Sequence, residues 1–238
     1  MLDNMLDNLK KIKEKYNYNF FSYYIDTEDE NLKIRKPEEL ISKVAAITDE
    51  VLETVDKGFI QNEDFPDATP IVSNLAEKLD IDIHSKSMNK DVFSYLTVDR
   101  KNVDNFQSDR VIVSNSDIPL FHRDVIFSIA YDIGALLFDF SEDKDISYSF
   151  VFRKKHENGF ELEDSWSIFA NRETISHFLC YTFALFLIMP PTKFAEDFKK
   201  LDEEDITLYD KGGILAEKYQ TSSWFVGKRA KIMELTSL

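Results

Sequence analysis

Apolar residues recur along this chain with two periods, and the switch between them predicts where helices give way to strands. The clearest helical stripe is Leu40, Ile41, Val44, Ile47, Val51, Leu52 and Val55, spaced three and four apart behind Pro37. Proline suits a first helical turn, so the spacing predicts a helix from Pro37 to Asp56 with one apolar face that must pack on something. Leu6, Leu9 and Ile12 carry the same spacing more weakly, and residues 1–58 read as helical. The stretch Asn62 to Pro70, with Asp64, Pro66 and Asp67, is rich in turn residues and predicts a boundary. The organisation expected is an N-terminal helical extension, residues 1–65, followed by a domain over 66–238.

Beyond that boundary a short helix is predicted at Ile71 to Leu79. Alternating or β-branched runs predict strands at Ile81 to His84, Phe93 to Val98 and Val111 to Val113. A long helix follows from Arg123 to Phe138. A further strand or hairpin is expected at Ser147 to Phe152, with Asn158-Gly159 as a turn signal. The rest reads as helices at Arg172 to Met189, Thr192 to Leu201, Ile214 to Tyr219 and Ser222 to Leu235. No internal repeat or low-complexity tract interrupts them. Helices around a small β-sheet, an α+β arrangement, is the fold class this order implies.

Composition narrows the function classes. With 238 residues, 43% of them hydrophobic and 20 of them Phe, the chain can bury a sizeable core. The longest apolar stretch, Phe178 to Met189, is broken by Tyr181 and Thr182 and falls short of the roughly 20 residues that cross a bilayer, so no membrane association is expected. There is no cationic start leading into an apolar segment, and a cytoplasmic location is expected. The single cysteine, Cys180, lies inside that apolar stretch and reads as structural. A formal net charge of -15 disfavours nucleic acid as a general partner.

The helix predicted over 123–138 carries the segment Phe127-Ser128-Ile129-Ala130-Tyr131-Asp132-Ile133-Gly134-Ala135. Zinc peptidases place H-E-x-x-H on such a helix, because residues four apart share one face and two imidazoles can then reach one metal ion while the Glu activates its water. The segment resembles the F-[ST]-[IL]-A-H-E-[IL]-G-H pattern of the ImmA/IrrE family of zinc metallopeptidases, with the framework kept and the chemistry changed. Four further segments carry the resemblance in the same order. Thr69 to Ile81 is similar to that family's opening helix and first strand, and Val111-Ile112-Val113-Ser114-Asn115 with Arg123 is similar to the strand, Asn and Arg ahead of its zinc helix. His177 to Pro190 resembles its E-x-x-A-N-x-F-A-x-x-L-L-M-P helix, matched at Phe183, Ala184, Leu187, Met189 and Pro190. Leu215 to Tyr219, with Val226, Arg229 and Leu235, resembles its closing helix pair.

The resemblance implies a zincin-like fold over residues 66–238 and a site that has lost its function. On it the first histidine becomes Tyr131, the catalytic Glu becomes Asp132, the second histidine becomes Ala135 and the third ligand, a Glu, becomes His177. Ala135 has no donor atom, a phenol is a poor zinc ligand near neutral pH, and Asp132 is one methylene too short for the Glu role. The expectation is therefore a pseudo-peptidase with no metal or other cofactor and no catalytic residues. His177 is expected to fill the former metal cavity or to bond Asp132 or Tyr131. His84, His122 and His156 read as ordinary surface, capping or loop residues.

The resemblance further implies a bacterial mobile-element or prophage setting and a regulatory role exerted by binding a protein, with a helix-turn-helix repressor as the candidate partner. Two alternatives stand beside it. One is a hydrolase of altered chemistry using Asp132, Tyr131 and His177; the other is a nucleic-acid-associated regulator, acting through an acidic surface or through the basic group Lys228, Arg229 and Lys231 of the closing helices. Lys218 adds to that group, while Asp202 to Asp205 reads as a solvated turn.

Overall fold

The structure is a computed structural model that describes residues 11–12, 14–16, 20–21, 23–26, 33–34, 36–55, 68–88, 93–97, 110–118, 123–138, 172–204 and 206–236. Its elements run β1 (Ile25–Asp26), β2 (Lys33–Ile34), α1 (Pro37–Val55), α2 (Ala68–Lys78), β3 (Ile81–Lys86), β4 (Ser94–Thr97) and β5 (Arg110–Asn115). The helices α3 (Arg123–Phe138), α4 (Arg172–Ile188), α5 (Pro191–Glu203), α6 (Leu208–Lys218) and α7 (Ser223–Thr236) follow. This is an α+β arrangement of helices and a small sheet, as the hydrophobic pattern implied. The hairpin expected over 147–159 lies outside the described residues.

The sheet has the strand order β3-β5-β4. Parallel β3 and β5 pair Ile81 with Arg110 through Lys86 with Asn115, and antiparallel β4 pairs Ser94 with Ser114. Central β5 is buried from Val111 to Asn115, whereas edge strand β3 is exposed at its far end. That is why β5 reads as a continuous apolar run and β3 alternates. Asn115 ends β5 with an Asx turn: its Oδ1 accepts from the backbone N–H of Met88 at 3.2 Å and of Asp117 at 3.0 Å, which ties the loop after β3 to the loop before α3.

The helices α3 and α4 form the centre of the core. Gly134 makes their close approach possible, since a Cβ there would lie 3.1 Å from Phe183 Cδ1 and 3.2 Å from Cys180 Cα. Cys180 is buried, as its apolar surroundings suggested. A bend of 62° separates α4 from α5, where Pro190 and Pro191 stop one helix and start the next. Among the described residues no single helix is long and apolar enough to cross a membrane.

The stripe predicted on α1 packs on α4 and α7, so the described part of residues 1–65 shares the core of the rest. Ring contacts reinforce the join: Phe21 meets Phe138 edge-on at 5.9 Å, and Phe138 meets Phe183 at 5.7 Å. Two points differ from the pattern-based expectation. Residues 25–34 include a short antiparallel pair, Ile25 opposite Ile34, inside a stretch expected to be helical. Helix α6 begins at Leu208, earlier than the expected Ile214, because the Thr207 hydroxyl accepts from the Asp210 N–H at 3.2 Å and starts the helix upstream of Gly212-Gly213.

Candidate functional site

Tyr131, Asp132 and Ala135 all lie on α3, and all three are buried. Phe127, one turn before them, stacks on Phe225 of α7 at 3.9 Å and meets Tyr181 of α4 at 5.3 Å. The start of α3 therefore packs against α4 and α7. Asp132 is 0% exposed and accepts a 2.6 Å hydrogen bond on Oδ2 from the hydroxyl of Ser94, at the start of β4. Its Oδ1 is buried without a hydrogen-bond partner among the described residues. Desolvation pushes the carboxyl up to about 8 and outweighs the Ser94 bond, which alone would lower it. At neutral pH Asp132 is thus mostly a neutral acid in a dry setting.

His177 stands in α4, as the resemblance required, but its side chain lies outside the described residues. The bond to Asp132 comes from Ser94, a residue 38 positions upstream that carried no motif. Among the described residues no group of three or more His, Cys, Asp or Glu side chains could hold a metal ion. His84 is half-buried near the end of β3, its Nε2 4.0 Å from Asp82 Oδ2. His122 and His156 lie outside the described residues. A Ser hydroxyl aimed at a carboxylic acid, both without exposed surface, gives no approach for a substrate from solvent.

The basic group proposed on the closing helices does not stand together. Arg229 is 0% exposed: its Nε donates to the Met189 carbonyl at 3.2 Å, and its guanidinium lies 4.8 Å from the ring centre of Phe186 and 4.9 Å from that of Phe194. Burial draws its pKa down to about 9, which leaves it charged at neutral pH. It cannot contact nucleic acid from that position, so of the three only Lys228 and Lys231 remain near the surface. Lys218 is engaged by Asp197 at 2.6 Å, and the same buried carboxylate accepts from the Tyr219 hydroxyl at 2.7 Å. Asp202, read as part of a solvated turn, ends α5 and pairs with Lys211 of α6.

The sequence held a signal for these buried charges. Arg229 falls in register with Phe225, Val226, Ile232 and Met233 on one helix face, and Asp197 falls between Phe194, Phe198 and Leu201. A charge inside an apolar stripe has to find a partner when the stripe is buried. The partner itself is set by other elements and could not be read.

One surface feature has no counterpart in the motifs. A groove of about 1270 Å³ opens between α6 and α7, with Tyr209, Ile214 and Trp224 on its walls and Gly212, Gly213 and Gly227 among its lining. No protein-family model matches the chain, and no curated protein matches it.

Proposed function

We propose that this chain is a catalytically inactive, zincin-like metallopeptidase relative that acts inside the cell by binding a protein, in a regulatory role in a bacterial mobile element or prophage. The observation that carries the reading is Asp132. It occupies the position that the ImmA/IrrE resemblance gives to the catalytic Glu, yet it is buried, mostly neutral and bonded to Ser94. A general base has to reach a metal-bound water, and this carboxyl has neither exposure nor a ligand set beside it among the described residues. The kept framework, Phe127, Ala130, Gly134 and Pro190, supports common ancestry of shape, with Gly134 at the close contact of α3 and α4.

The partner class, a helix-turn-helix repressor, follows from the resemblance. Nucleic acid is disfavoured as a direct partner by the net charge of -15 and by the burial of Arg229.

The test is metal loading of the parent beside a restored variant. Parent protein equilibrated with excess zinc and then gel-filtered is expected to carry far less than one zinc per chain. The variant Tyr131→His, Asp132→Glu, Ala135→His and His177→Glu is expected to take up close to one, because both helices keep their framework. One zinc per parent chain would overturn the loss of function. A folded variant without zinc would remove the zincin-like reading.

A further inference from the structure

Among the described residues, the large hydrophobic side chains that remain exposed are Tyr23, Tyr209, Ile214 and Trp224, and all but Tyr23 wall the groove between α6 and α7. Tyr209 is 90% exposed. Clustering of such side chains on one face marks an interaction surface. The floor is as unusual as the walls. A Cβ added at Gly213 or Gly227 would meet nothing within 4 Å, so the chain's own packing does not require glycine at either place. Glycine inside a helix is costly, which makes an open hollow there a feature in need of an outside occupant.

The charges around the hollow differ between the two helices. The α6 wall presents Asp210 and Glu217, and the α7 wall presents Lys228 and Lys231 with Glu234 one turn beyond Lys231. One face thus carries aromatic protrusions, a hollow without side chains, an acidic wall and a wall of net positive charge. A surface holding both halves of each match is complementary to itself. A two-fold axis through it sets the acidic wall of one copy against the basic wall of the other and the Trp224 and Tyr209 rings against the opposite glycines. A nucleic acid would meet Asp210 and Glu217 in the same groove, and a one-sided protein ligand would need only one half of these features.

We propose that the α6–α7 groove is filled by the same groove of a second copy, making the protein a two-fold dimer. The proposal stands independently of the reading of α3.

Sedimentation of the full chain across about 1 to 200 micromolar is the experiment, with a monomer–dimer equilibrium expected in that range. Gly227→Trp fills the hollow from a position with free space around it and is expected to weaken the dimer by roughly tenfold or more without lowering the melting temperature of the monomer. Glu217→Lys alone and Lys231→Glu alone each bring like charges together across the axis and are expected to weaken self-association to a similar degree. Mixing these two variants restores opposite charges at both contacts and is expected to recover parental affinity. A parent that stays monomeric throughout overturns the proposal. So does a dimer indifferent to all three substitutions, or a mixture that fails to recover, since either places the contact elsewhere or gives it another symmetry.

Discussion

Asp132 shows how much one buried carboxyl can govern. Its folded pKa, about 8, lies above the 3.8 of an ordinary Asp, so between those values the folded protein holds a proton that the unfolded chain releases. Stability therefore falls as pH rises from about 4 to about 8, at up to roughly 1.4 kcal/mol per pH unit from this group, and levels off above. Asp49, raised by partial burial and by Glu53, adds a contribution of the same sign. Urea unfolding at about pH 5 and pH 8 is expected to show the parent less stable at the higher pH, and Asp132→Asn is expected to lose most of that difference. Equal slopes in parent and variant would place Asp132 in contact with solvent.

At the scale of elements, the contact of α3 with α4 is the one that admits least change. Replacing Gly by Ala inside an exposed helix stabilises it by about 1 kcal/mol. At Gly134 the new methyl would meet Cys180 Cα at 3.2 Å and Cys180 O at 3.3 Å, backbone atoms that cannot rotate away. Overpacking should win, so Gly134→Ala is expected to destabilise by about 1–3 kcal/mol and lower the melting temperature by several degrees. Ile133, 0% exposed on the same helix, sets a stricter test: Ile133→Asp should cost roughly 3 kcal/mol or more by burying an unpaired charge. Circular dichroism melts of the two variants check both. A Gly134→Ala protein that melts above the parent would show that α4 can shift.

At the scale of the whole molecule, Arg229 joins the last helix to the corner between α4 and α5. Truncation would leave the Met189 carbonyl without this donor and open space between Phe186 and Phe194. Arg229→Ala is expected to cost about 3–5 kcal/mol, whereas Arg229→Met, which fills the space without a charge to desolvate, should cost distinctly less. Denaturant midpoints for the pair decide it; equal losses would mean that the charge, rather than the volume, holds the corner. The N-terminal segment joins the same body through α1 and Phe21, so the chain buries its longest amphipathic stripe against α4 and α7.

What the sequence determined by itself is what depends on neighbours within a turn or a strand. The stripe of α1 and the bounds of α3, from Arg123 to Phe138, follow from local periodicity, as do the core of β5 and the proline break between α4 and α5. That Tyr131, Asp132 and Ala135 do not make an H-E-x-x-H set is equally plain in the letters. Only the tertiary structure decided which groups meet across long separations. It paired Ser94 with Asp132, Asp197 with Tyr219 and Lys218, and Arg229 with Met189. It also left the glycines of α6 and α7 facing an open groove, where local rules would count them only as weak helix positions. The physical reason is that periodicity reports which face of an element is apolar, whereas the partner of a buried charge depends on how separate faces are brought together.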